Sequence, residues 1–92
     1  MRYAVKLNLD LIQSWASLAE AKNEKQKSFV ISARKACDEL RKEKSAIVLE
    51  ADDGIVLHRL KDGVEQEATG DEICAFYAQA IANGEMQWET FF

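Results

Sequence analysis

Apolar positions change period along the chain, and each change marks an element. Tyr3, Val5 and Leu7 alternate with Arg2, Ala4 and Lys6, a period of two that predicts a short, half-buried strand. From Leu11 the repeat turns helical, through Leu11, Ile12, Trp15, Leu18 and Ala19. Asn8 or Asp10 can cap that helix, and with Asn8 as cap, Leu7 and Ile12 occupy hydrophobic-staple positions. Residues 21–28 hold no large apolar side chain. The helical stripe then resumes in Phe29, Val30, Ala33, Ala36, Cys37 and Leu40. Over residues 8–44 one long helix competes with a helical hairpin turning near Asn23. The hairpin is favoured, because a helix of about 35 residues is unusual in so small a chain.

The second half reads differently. Ala46-Ile47-Val48-Leu49-Glu50 and Ile55-Val56-Leu57-His58-Arg59-Leu60 flank an Asp53-Gly54 turn, which predicts a β-hairpin. A second Asp-Gly, Asp62-Gly63, turns the chain into a polar edge strand from Val64 to Ala68. Thr69-Gly-Asp-Glu72 is a capping box. Ile73, Phe76, Tyr77, Ala80 and Ile81 follow on one helix face, and Asn83-Gly84 stops the helix. The alternating tail Met86-Gln-Trp88-Glu-Thr90-Phe-Phe92 reads as a last strand. The order β-α-α-β-β-(β)-α predicts an α+β fold, one domain over residues 1–92, with helices on a mostly antiparallel sheet.

Composition supports a folded core, with 48% apolar and 30% charged residues. There is no proline, and all four glycines follow residue 53. A chain of 92 residues buries roughly 60–65% of its unfolded surface. The two cysteines, Cys37 and Cys74, lie on apolar helix faces and read as reduced and buried. No apolar run is long enough to span a bilayer, and the first residues lack a signal-peptide core. These features together lead us to expect a cytoplasmic protein with no membrane association.

Charge adds an asymmetry. Residues 1–45 carry ten Lys/Arg and six Asp/Glu, a balance of +4; residues 46–92 carry two and ten, a balance of −8; the sum is the net −4. The overall sign disfavours nucleic acid and anionic membranes.

Catalytic and cofactor chemistry finds little here. The chain has no glycine-rich phosphate loop, and no cofactor is expected. Soft metal ligands are limited to Cys37, Cys74 and the single histidine, His58, without metal-binding spacing, so no metal is expected. His58 reads as a half-exposed sheet residue rather than a catalytic base.

Three surfaces remain. Glu50, Asp52, Asp53, Asp62, Glu65, Glu67, Asp71 and Glu72 crowd 23 residues and offer an acidic surface to a basic partner, though several of these acids also have local roles in turns and at a helix N-terminus. Lys27, Arg34 and Arg41 are spaced by seven and flanked by Lys35 and Lys42, forming a basic face opposite the apolar stripe, with Asp38 as a flaw within that stripe. Trp88, Phe91 and Phe92 gather three of eight aromatics at the end of the chain, to be buried in this domain or in a partner. The expected function is a non-catalytic protein-binding module, an adaptor or an inhibitor of a partner protein. A compact acidic inhibitor of the kind phages and mobile elements carry fits, as does a small subunit of a larger complex. The alternative is a nucleic-acid-binding regulator using the basic helix face. The split charge also allows head-to-tail pairing in a homodimer.

Overall fold

Helix caps, turns and burial together set the architecture, which a computed structural model describes for residues 1–43, 47–53 and 56–90. The chain runs β1 (Tyr3–Val5), α1 (Leu9–Leu18), α2 (Glu24–Lys42), β2 (Ile47–Ala51), β3 (Leu57–Lys61), β4 (Val64–Glu67) and α3 (Gly70–Ala82), then a 3-10 turn at Trp88–Thr90. The four strands form an antiparallel sheet in chain order, β1-β2-β3-β4. The three helices cover one of its faces. This is the expected α+β fold, including the edge strand β4.

The first two helices are separate. Asn8 caps α1, its side-chain oxygen accepting from the Leu11 N–H at 3.1 Å. After Leu18 the backbone turns extended at Ala19, and Asn23 caps α2 by accepting from the Gln26 N–H at 2.9 Å. Gln26 is buried, and its Oε1 accepts from the Lys22 N–H at 2.6 Å. A cap on one side of the connection and a buried side chain folded back onto it make the break between the helices. Asp10 with Arg41, and Gln13 with Asp38 at 3.1 Å, then tie α1 to α2 on their exposed side. Asp38 is exposed and meets α1, so it does not interrupt the buried stripe.

Beneath that side lies the larger core, built from Ile12, Phe29, Ala33, Ala36, Cys37, Ala75, Ala78 and Trp88. Alanines at 33, 36, 75 and 78 let α2 and α3 approach closely. The second cluster, Leu49, Ala51 and Leu57, lies on the covered face of the sheet and receives Val5, Ile47 and Phe76; Leu7 touches both clusters.

Turn and cap chemistry behave as the sequence predicts. Asp62 and Gly63 both adopt positive φ, 52° and 79°, the two-residue mirror turn that suits the twist of a hairpin. At α3 the capping box is complete: the Thr69 N–H donates to Glu72 Oε1 at 2.8 Å, and the Glu72 N–H donates to Thr69 Oγ1 at 3.1 Å. Glu72 is 4% exposed. Its Oε1 also stands 3.1 Å from Arg59 Nε on β3, an electrostatic pairing in which that N–H is not aimed for a hydrogen bond. The pair links the helix start to the sheet.

The C-terminal segment departs from expectation. Instead of a strand, Trp88–Thr90 form a 3-10 turn that seats Trp88 edge-on against Trp15, centroids 5.3 Å apart, and near Phe29 at 6.4 Å. Burying one large ring against two others outweighs the weak period-two pattern of a short tail. Part of the expected Asp53-Gly54 turn lies outside the described residues, as do Ala46, Phe91 and Phe92; Asp52 and Val56 close that hairpin through backbone and side-chain bonds at 3.3 and 3.1 Å.

Candidate functional site

Cross-strand partners share a face, and the register therefore sorts the sheet. Ala4, Glu50, His58 and Glu67 form one row across four strands, and Val48, Leu60 and Glu65 form the next. Alternation places these side chains away from the buried Leu49, Ala51 and Leu57. Arg2 and Asp52 continue the same face beyond β1 and β2. No helix covers this side among the described residues.

The centre of this open face is apolar and its surround is charged. Val48 and Leu60 pair directly across β2 and β3, with Val48 43% exposed and Leu60 half-buried. Around them stand four carboxylates, Glu50, Asp52, Glu65 and Glu67, and two cations, Arg2 and Lys6. Arg2 reaches across the sheet: Nη2 contacts Glu65 Oε1 of β4 at 2.5 Å, and Nη1 lies 3.9 Å from Glu50 Oε2 of β2. His58, with a side chain 17% exposed, sits beneath, Nε2 being 3.4 Å from Asp52 Oδ2 and Nδ1 3.3 Å from Glu65 Oε1. The network thus draws a member from each strand or its flank. The hydrogen bond from Arg2 lowers the Glu65 pKa below the usual carboxylate value and raises that of Arg2, because charge on each favours charge on the other.

This geometry bears on catalysis. Both His58 nitrogens face carboxylate oxygens, so the histidine is not paired with a hydroxyl or thiol nucleophile among the described residues. The cysteines are no better placed. Cys37 is wholly buried and Cys74 partly so, which corrects its expected full burial. Burial raises both thiol pKa values, and a Ser32 hydrogen bond offsets part of the rise at Cys74. Such thiols stay protonated near neutral pH and react poorly. The groove between α2 and α3 that holds Cys74 is apolar and open to solvent, lined by Ser28, Phe29, Ser32, Ile73 and Tyr77. Among the described residues no cluster of three or more histidines, cysteines and carboxylates could hold a metal ion. No helix among them is long and apolar enough to cross a membrane.

The residues singled out from sequence fall in different places. Of the basic face, Lys27 pairs with Glu24 at 3.4 Å, Lys35 with Asp71 at 3.7 Å and Arg41 with Asp10 at 2.5 Å. Arg34 and Lys42 are exposed and form no ion pair among the described residues. The seven-residue spacing thus gives an aligned row in which three of five charges are answered locally. Trp88 lies in the core. Sequence reasoning named Glu50, Asp52 and Glu65 as part of a diffuse acidic surface, and missed Arg2 and the gathering of these residues around His58. Alternation in β2 and β3 held a signal for Glu50 and His58, but their adjacency to Arg2 and Glu65 appears only once the strand register is known. Compared with protein-family models, curated proteins and solved structures, the chain matches none of them.

Proposed function

We propose that this chain is a non-catalytic protein-binding module, an adaptor or inhibitor, whose contact surface is the open face of the sheet. The observation that carries the reading is the uncovered face itself: an apolar pair, exposed Val48 and half-buried Leu60, among carboxylates. A small apolar centre with a polar rim is the anatomy of a protein interface. The nucleic-acid reading loses support because three of the five basic-face cations are already paired, and phosphate binding needs free ones.

The test is affinity capture from a native-host lysate with wild type, Val48→Lys and the double variant Arg34→Glu/Lys42→Glu, each checked for folding by circular dichroism. The reading expects one protein retained by wild type and the double variant, and lost by Val48→Lys. Retention by Val48→Lys together with loss by the double variant would move the interface to α2 and overturn it.

A further inference from the structure

Resting on the open-face reading, we propose that the face receives an arginine of a basic partner, in a place that Arg2 fills in the free chain. The observations are geometric. The outward residues of the four strands, with Arg2, Lys6 and Asp52, set two cations against four carboxylates, so the face is net negative. Two such faces packed against each other would repel, which argues against a second copy and for a basic partner. Arg2 identifies the group that fits. Its guanidinium spans from β2 to β4, in contact with Glu65 and within 3.9 Å of Glu50. A planar fork answers two separated carboxylates in a way that a compact ammonium does not. Arg2 remains 42% exposed and lies in the segment before β1, not inside an element. It is therefore a displaceable occupant: a partner arginine that docks beside Val48 and Leu60 competes with it for Glu50 and Glu65.

The probes are two peptides of equal length and charge, one alternating arginine with valine and one alternating lysine with valine. Binding is followed by backbone amide and His58 ring shifts in NMR titrations, with light scattering to follow mass. The arginine peptide should bind more tightly than the lysine peptide and shift residues 48, 50, 58, 60 and 65. Arg2→Ala should tighten arginine-peptide binding about three-fold, the size of a lost surface ion pair. Lys25→Ala, which removes an exposed charge on α2 away from the sheet face, should leave it within about two-fold. Glu50→Gln/Glu65→Gln should weaken it about ten-fold. Equal affinity for the two peptides, or Arg2→Ala behaving like Lys25→Ala, would overturn the arginine site; if Val48→Lys still abolished partner capture, the open-face reading would stand without it. Shifts confined to the helices would overturn both. Shifts on the face that accompany a rise to dimer mass without peptide would make a second copy the occupant and overturn the basic partner.

Discussion

Replacing Trp88 with alanine decides whether the aromatic tail belongs to the core. Trp88 is 7% exposed. Its ring meets Trp15 at 5.3 Å and 79°, and Phe29 at 6.4 Å, while Trp15 and Phe29 meet at 6.0 Å. The three rings close a triangle between α1, α2 and the C-terminal turn. A buried tryptophan removes roughly 150–250 Å² from water, which at about 25 cal/mol per Å² is about 4–6 kcal/mol. That figure is an upper bound, because the unfolded chain already buries part of the ring; large aromatic-to-alanine changes in cores cost about 3–5 kcal/mol. Total stability for a chain of this length is about 5–14 kcal/mol, so the variant should remain folded but lose a large share of its margin. We expect a loss of about 3 kcal/mol in guanidinium unfolding followed by far-UV circular dichroism, and a midpoint drop of about 12–24 °C on heating. Trp88→Phe should recover more than half of the loss, since a second ring still meets Trp15 and Phe29. A loss below about 1 kcal/mol with an unchanged denaturant slope would refute the core assignment.

Three further outcomes follow from the same geometry. Glu72→Ala removes the Glu72 half of the α3 capping box and the counter-charge of mostly buried Arg59 and should cost about 3–5 kcal/mol in chemical unfolding; Glu72→Gln keeps an acceptor for the Thr69 N–H but not the charge, so a Gln loss below about 1 kcal/mol would discount the Arg59 pairing. The Glu65 pKa is lowered by Arg2, so its contribution to stability is present above the ordinary glutamate value of about 4.3 and is lost as pH falls through the lower folded value. An NMR titration should place the Glu65 midpoint below that of an ordinary glutamate in wild type and return it toward the ordinary value in Arg2→Ala. Because burial raises both thiol pKa values, alkylation at neutral pH should be slow at both cysteines and slowest at Cys37, with a Cys37 rate like that of a free peptide thiol counting against its burial.

Local signals survived into the structure wherever local chemistry decides the outcome. Asn8, Asn23 and the Thr69–Glu72 box act within a single turn, and the Asp62–Gly63 turn needs only two residues at positive φ. The tail misled because Trp88 is governed by Trp15 and Phe29, distant in sequence, and not by its neighbours. The basic face was legible as a row of charges, but its neutralisation was not, since Asp10 and Asp71 come from other helices. The open-face network was hidden for the same reason. Arg2 and Glu65 are far apart in the sequence, and only the sheet register brings them to one histidine.

Strand order equal to chain order has a kinetic side. β3 and β4 join through a two-residue turn, and β2 and β3 through the short segment 52–56, so their pairing closes small loops. β1 reaches β2 only after the whole helical hairpin, a loop of about 40 residues whose closure costs about 3 kcal/mol of chain entropy. Its return is three residue pairs at an exposed edge. β1 is therefore the last strand to zip and the first to fray, and its amides should be the least protected of the sheet in hydrogen exchange. Arg2 travels with it. The guanidinium that covers the acidic face is held by a short edge strand of three residue pairs, so the face is uncovered each time that edge opens, before the rest of the domain unfolds.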